Sequence, residues 1–254
     1  MITRIVSAVV GLALLVLFLV LGGTTLKIAM ILVTMLAMVE LKRAFKVSFR
    51  LDDLLSALFV SIIFFMPTDL AFVMMFSYLI VSILVQMLFL REDLQQVVAR
   101  YFCFSYVTIP FYLLWRLIEF GPERVYLLVF IVAWVSDTAA YYVGTFFGTR
   151  KIAAHISPNK TLEGFAGGIV AGVVVAALFK LIFVSGASFI GVFFFSIFGS
   201  MLATLGDLVA SYIKRKSEIK DFGFIIPGHG GIMDRFDSVL PVAVLLYLML
   251  GFIV

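Results

Sequence analysis

The chain is a succession of long apolar runs separated by short polar stretches. A bilayer-spanning helix needs about 20 mostly apolar residues. By that measure nine segments qualify, at roughly 4–22, 25–44, 51–66, 69–90, 98–118, 123–148, 163–185, 188–213 and 239–254. The third and ninth are the shortest. Pro67, Pro122, Pro158 and Pro227 fall at segment ends or in loops, whereas Pro110 lies well inside the fifth segment and predicts a kink there. The first segment follows Arg4 without an A-x-A cleavage site, so it is read as a membrane helix rather than a removed signal peptide. The pattern predicts an all-α protein: a polytopic membrane helical bundle forming one transmembrane domain. Residues 1–120 supply its N-terminal helices, and residues 121–254 carry the loops where chemistry is expected.

Composition agrees. Of the 254 residues, 64% are hydrophobic and 13% charged, with a mean hydropathy of +1.20. Soluble domains carry about a quarter charged residues, so this chain could not keep a water-facing surface. The single cysteine, Cys103, cannot form an internal disulfide. Its apolar neighbours Phe102 and Phe104 mark it as a packing residue.

Lys and Arg orient the bundle. With the N-terminus inside, the inner segments hold Arg4; Lys42, Arg43, Lys46 and Arg50; Arg91 and Arg100; Arg150, Lys151 and Lys160; and Lys214, Arg215, Lys216, Lys220 and Arg235. That is fifteen of the nineteen. Lys27, Arg116, Arg124 and Lys180 remain outside. The N-terminus is therefore expected in the cytoplasm and the C-terminus outside. The two longest polar segments, about 149–162 and 214–238, then share the cytoplasmic face.

Acids within apolar segments are costly and mark polar cavities or partners. Asp137 lies in the inner half of the sixth segment. Asp207 lies in the eighth, seven residues before the Lys214 cluster. Glu163 opens the seventh and is a candidate site acid, the alternative being only an N-terminal charge favoured by the helix dipole.

The densest polar stretch is Pro227-Gly228-His229-Gly230-Gly231-Ile-Met-Asp234-Arg235-Phe-Asp237. Its proline and glycines forbid a regular helix, and exposed amides in such a turn can bind anions. Asp234 and Asp237, with Asp207 as a third carboxylate, offer hard oxygens suited to Mg2+. Arg235 can fork onto a phosphate, while Lys214, Arg215 and Lys220 supply point charges. His229 is read as a substrate contact and His155 as a loop residue.

The run Ser211-Tyr-Ile-Lys214-Arg215-Lys-Ser-Glu-Ile-Lys220-Asp221-Phe-Gly223-Phe-Ile-Ile-Pro227-Gly228-His229-Gly230-Gly231-Ile-Met-Asp234-Arg235-Phe-Asp237 closely resembles the signature of the phosphatidate cytidylyltransferases, or CDP-diglyceride synthetases. Ser157-Pro158-Asn159-Lys160-Thr161-Leu162-Glu163-Gly164 is similar to a second block of that family, and Trp134-Val-Ser-Asp137 to a third. Residues 1–120 match only as generic apolar helices. The resemblance implies transfer of the cytidylyl group of CTP to phosphatidic acid, giving CDP-diacylglycerol and pyrophosphate. It further implies Mg2+, a second cation such as K+, a homodimer, and a site facing the cytoplasm at the cell's inner membrane. Asp207 and Asp234 match metal-binding acids of the family, with Asp137 and Asp237 as further metal candidates. Lys160, Lys214, Arg215, Lys220 and Arg235 match its basic positions. Ser157, Thr161, Glu163, Ser211, Asp221, His229, Gly230 and Gly231 complete the expected substrate site. Two other readings fit buried acids in such a chain: a CTP-dependent lipid kinase of the polyprenol or phytol type, and an ion-coupled transporter.

Overall fold

The computed structural model describes residues 2–47, 51–90, 93–122 and 124–254. Arg50 and Arg91, two of the cations used to orient the chain, lie outside the described residues. The helices are α1 (Ile2–Leu21), α2 (Gly23–Ala44), α3 (Leu51–Ile63), α4 (Thr68–Val85, extended by a π-helical turn at Gln86–Leu90), α5 (Leu94–Phe120), α6 (Leu127–Phe147), α7 (Leu162–Phe183), α8 (Phe189–Lys216), the short α9 (Met233–Phe236) and α10 (Val239–Ile253). A hairpin of β1 (Lys151–Ala153) and β2 (Ser157–Thr161) precedes α7. Apart from α9, each helix coincides with one apolar segment of the sequence. Among the described residues six helices are long and apolar enough to cross a membrane, while the apolar stretches Val6–Leu21, Asp53–Ile63 and Val239–Ile253 are shorter. The chain is a multi-pass helical membrane protein. Helix α5 continues through Pro110.

Two compact units divide the chain. The first comprises Met1–Tyr112 and Asp221–Asp234, and the second Leu113–Lys220 and Arg235–Val254.

In the first unit α3 packs against α2 and α4. Tyr78 on α4 is fully buried, stacking on Phe104 at 3.9 Å between ring centroids and meeting Phe59 of α3 at 5.4 Å. Such aromatic pairs add to the stabilisation from burial itself. Lys42 is 1% exposed, and its ammonium donates to Asp53 Oδ1 at 2.6 Å and Ser56 Oγ at 3.1 Å. A cation buried in this way is tolerated only because it is paired and hydrogen-bonded. Removing Asp53 would loosen α3 from α2. Cys103 is fully buried, as its apolar neighbours require.

In the second unit α7 lies against α6 and α8, and α8 against α10. Helix α7 turns Gly164, Gly168, Gly172 and Ala176 inward. Small residues at such faces let membrane helices approach closely, where van der Waals contact replaces the missing hydrophobic drive. The antiparallel hairpin sets Lys151 opposite Thr161 and Ala153 opposite Ser157. It delivers the chain to α7 with Thr161 as N-cap, the Thr161 hydroxyl accepting from Gly164 N at 3.1 Å. Such a cap stabilises a helix by about 1 kcal/mol.

Candidate active site

The second unit gathers three carboxylates and two ammonium groups. Asp207 stands on α8 with its side chain 33% exposed, and Lys160 reaches it from β2, Nζ to Oδ2 at 2.6 Å. The same Nζ donates to the Thr204 carbonyl at 3.1 Å, one turn earlier on α8. Ser211, one turn later, lies at the limit of hydrogen bonding to Asp207 Oδ1, at 3.5 Å. Gly206 allows α8 to reach this position. A Cβ there would strike the Asp237 carbonyl and come within 2.7 Å of the Pro241 ring.

Asp237 sits between α9 and α10, outside the apolar spans, and is 8% exposed. Its Oδ1 accepts from Ser238 N at 2.9 Å. Burial first, and the Asp207 charge second, push its carboxyl up to about 7, against the opposing pull of Lys214 and the Ser238 amide; Asp137 adds to the rise. Asp137 on α6 is half-buried and accepts a hydrogen bond from the Ser238 side chain. Ser238, which sequence reading passed over, therefore touches two of the three acids.

In the first unit the Asp221–Asp234 segment folds back on itself. Ile226 N donates to the Gly230 carbonyl and His229 N to the Ile226 carbonyl, both at 2.9 Å. Asp234 is buried, and its Oδ2 accepts from Phe222 N at 2.8 Å and from Gly231 N at 2.9 Å. Glu40 of α2 takes the next two amides, those of Ile232 and Met233. Ser7 of α1 donates to the Pro227 carbonyl at 2.7 Å. The N-terminal helices that read as generic thus supply side chains to the segment bearing the family-like signature. Glu40 carried a signal, an acid inside an apolar run, but it lies beside Lys42 and Arg43 and blends into their cluster.

The expected site residues fall into distinct surroundings. Asp207, Asp237, Asp137, Lys160 and Lys214 come together in the second unit. Asp234, Asp221, His229, Gly230 and Gly231 belong to the first. His229 is half-buried, and its Nδ1 has no hydrogen-bond partner among the described residues. Arg215, Lys220, Arg235 and His155 are exposed. Glu163 accepts from Thr149 Oγ1 at 2.8 Å, from Thr149 N at 3.0 Å and from Arg150 N, so its carboxylate ties the turn after α6 to the start of α7. Thr161 caps α7, and Ser157 lies in β2.

For a divalent cation the donor chemistry fits. The Asp137, Asp207 and Asp237 carboxylates are hard oxygens, and their negative charge exceeds that of the two lysines beside them. The arrangement is open, however: among the described residues no three His, Cys, Asp or Glu side chains close to metal-holding distance.

Comparison with known proteins places these features in a family. The model of the cytidylyltransferase family matches residues 2–253. A phosphatidate cytidylyltransferase of Bacillus subtilis is 49% identical over 121 residues, 48% of this chain and 45% of that relative. One from Staphylococcus saprophyticus is 40% identical over 146 residues, 58% of this chain and 56% of the relative. One from Staphylococcus epidermidis is 33% identical over 260 residues, 97% of this chain and 98% of the relative. The matched segments thus span about half the length of the first two relatives and nearly all of the third. From the match over almost its whole length, the chain belongs to the cytidylyltransferase family.

Proposed function

We propose that this chain transfers the cytidylyl group of CTP to phosphatidic acid, forming CDP-diacylglycerol and releasing pyrophosphate. The relatives that match it carry the name of that enzyme. The observation that carries the reading is the pair of Lys160 on β2 and Asp207 on α8, set beside Asp237 and Lys214.

An oxygen of the phosphatidate monoester attacks the α-phosphorus of CTP. The new P–O bond forms as the bond to the β-phosphate breaks, and pyrophosphate leaves. The monoester is already ionised near neutral pH, so little general base is needed. Both reactants are anions, and catalysis rests on neutralising and aligning them. Lys160 and Lys214 meet phosphate oxygens from the acid cluster, with Arg215, Lys220 and Arg235 as exposed cations that receive CTP. Asp207 and Asp237, with Asp137 beside them, would hold Mg2+, which would neutralise charge developing on the phosphates; Asp234 matches the other metal-binding acid of the family's signature. A second cation such as K+ and a homodimer belong to the same reading. Fixed by Thr161 and Glu163, the hairpin sets Lys160, with Ser157 and Ser211 as substrate contacts of the second unit; Asp221, His229, Gly230 and Gly231 are the substrate contacts of the first.

All nine apolar helices cross the bilayer as one transmembrane domain, with the N-terminus cytoplasmic, the C-terminus outside and the site facing the cytoplasm at the inner membrane. Fifteen of nineteen cations on one side support this orientation. Acyl chains then stay in the bilayer while the headgroup meets CTP at its surface. A lipid kinase would release CDP instead, so identifying the nucleotide product of purified protein with CTP and phosphatidate tests the reading.

A further inference from the structure

Glu40 is 1% exposed near the end of α2. Its two oxygens are divided between two amides far along the chain. Ile232 N donates to Oε1 at 3.0 Å and Met233 N to Oε2 at 2.9 Å, across 192 and 193 residues of sequence. The same carboxylate fills the space beside Gly223 and Gly231, where a Cβ at either would fall against its oxygens. Those glycines are accounted for by an internal anion, before any substrate phosphate is considered. Asp234 takes the amides of Phe222 and Gly231. Two buried carboxylates therefore divide four amides of one segment.

A carboxylate removed from water needs such donors, and hydrogen bonds to a charged acceptor are about twice as strong as neutral ones. The bonds act in both directions. They satisfy Glu40, and they fix the backbone at the two residues immediately before Asp234. Helix α1 adds a second hold at Pro227 through Ser7.

We infer that Glu40 is a positioning residue for the Asp221–Asp234 segment, holding the Ile232–Met233 backbone so that Asp234 keeps one orientation. Its importance for turnover rests on the proposed cytidylyl transfer; its hold on the segment does not.

Two readouts on the purified full chain test this: amide hydrogen exchange over 222–234 and steady-state kinetics. Glu40→Gln keeps the volume but turns an NH2 toward one of the two amide donors. Exchange in 222–234 is expected to quicken about tenfold, the scale of one hydrogen bond to a charged group, with exchange in α8 unchanged. The kcat should fall at least about tenfold while both KM values stay within about twofold. Glu40→Asp, which keeps the charge, should restore part of both. Unchanged exchange, or faster exchange at full kcat, would overturn the inference. So would failure of both variants to fold, which would make Glu40 a support of the whole unit. Wild-type protein without cytidylyl transfer would sink the proposed function instead, and the exchange readout would still decide whether Glu40 orders the segment.

Discussion

Lys160 Nζ lies 2.6 Å from Asp207 Oδ2 and also caps the Thr204 carbonyl at 3.1 Å, so β2 is pinned to α8 at the acid cluster. One side chain thereby joins the second family-like block, Ser157–Gly164, to the helix that leads into the signature beginning at Ser211. Both members are partly exposed, and removing either leaves the other without its principal counter-charge. Lys160→Met and Asp207→Asn should each lower kcat/KM at least about a hundredfold, equivalent to about 3 kcal/mol. The double variant should lose little more than either single one, as expected for groups acting as a unit. Initial rates of the three purified variants decide this, and full additivity would show that the pair does not work together.

Asp234 has a different task. Its Oδ2 takes two backbone amides within the first unit, so an amide side chain could replace part of that hydrogen bonding but not the charge. Asp234→Asn should therefore fold, with a thermal midpoint within a few degrees of wild type, yet lose at least about a hundredfold in rate. A variant with near-normal turnover at limiting Mg2+ would remove Asp234 from the site.

Asp237 gives a pH-dependent signature. Its folded carboxyl is pushed up to about 7, above the unfolded value near 4. Below pH 4 both states hold the proton and the group has no effect. As pH rises toward 7 the unfolded chain loses its proton first, so stability is lost across that window and the penalty stays constant above it. Burial is the largest cause of the shift; of the facing charges, Asp207 and Asp137 raise it and Lys214 lowers it. Asp237→Asn removes the penalty. With chelator present, its thermal midpoint should rise relative to wild type by several degrees more at pH 8 than at pH 4.5. Equal differences at both pH values would show that Asp237 ionises normally.

Close packing at Gly206 predicts a purely structural effect. Gly206→Ala should cost about 1–3 kcal/mol, as overpacking does, because the new methyl meets the Asp237 carbonyl and Pro241. Gly186→Ala, with nothing within 4 Å of its Cβ, should stay within about 0.5 kcal/mol of wild type. Denaturation of the two variants in detergent compares them directly.

The helices were legible because long apolar runs mark them, and nine such runs coincide with α1 to α8 and α10, six of them long and apolar enough to cross a membrane among the described residues. The β1–β2 hairpin was not, since strands of three and five residues are too short to carry a periodicity. Thr161 ahead of an apolar run has the form of a helix cap, yet its place in a family-like block drew attention to substrate instead. Glu163 stands at the start of α7, and its bonds to Thr149 and Arg150 across the turn have no local sequence pattern. Glu40 escaped because its partners are backbone amides 192 residues away, and no local pattern encodes such a bond. Ser238 was hidden for a related reason: its contact to Asp137 depends on how α6 meets the start of α10.

The fate of the three phosphates of CTP tests the proposed chemistry most directly. Purified protein would be given phosphatidate and Mg2+ with CTP labelled in parallel at the α- or the γ-phosphate. Attack at the α-phosphorus puts the α label in the lipid product and the γ label in pyrophosphate, and chelator stops both. A γ label in the lipid with CDP released, or no labelled lipid from active protein, would contradict it.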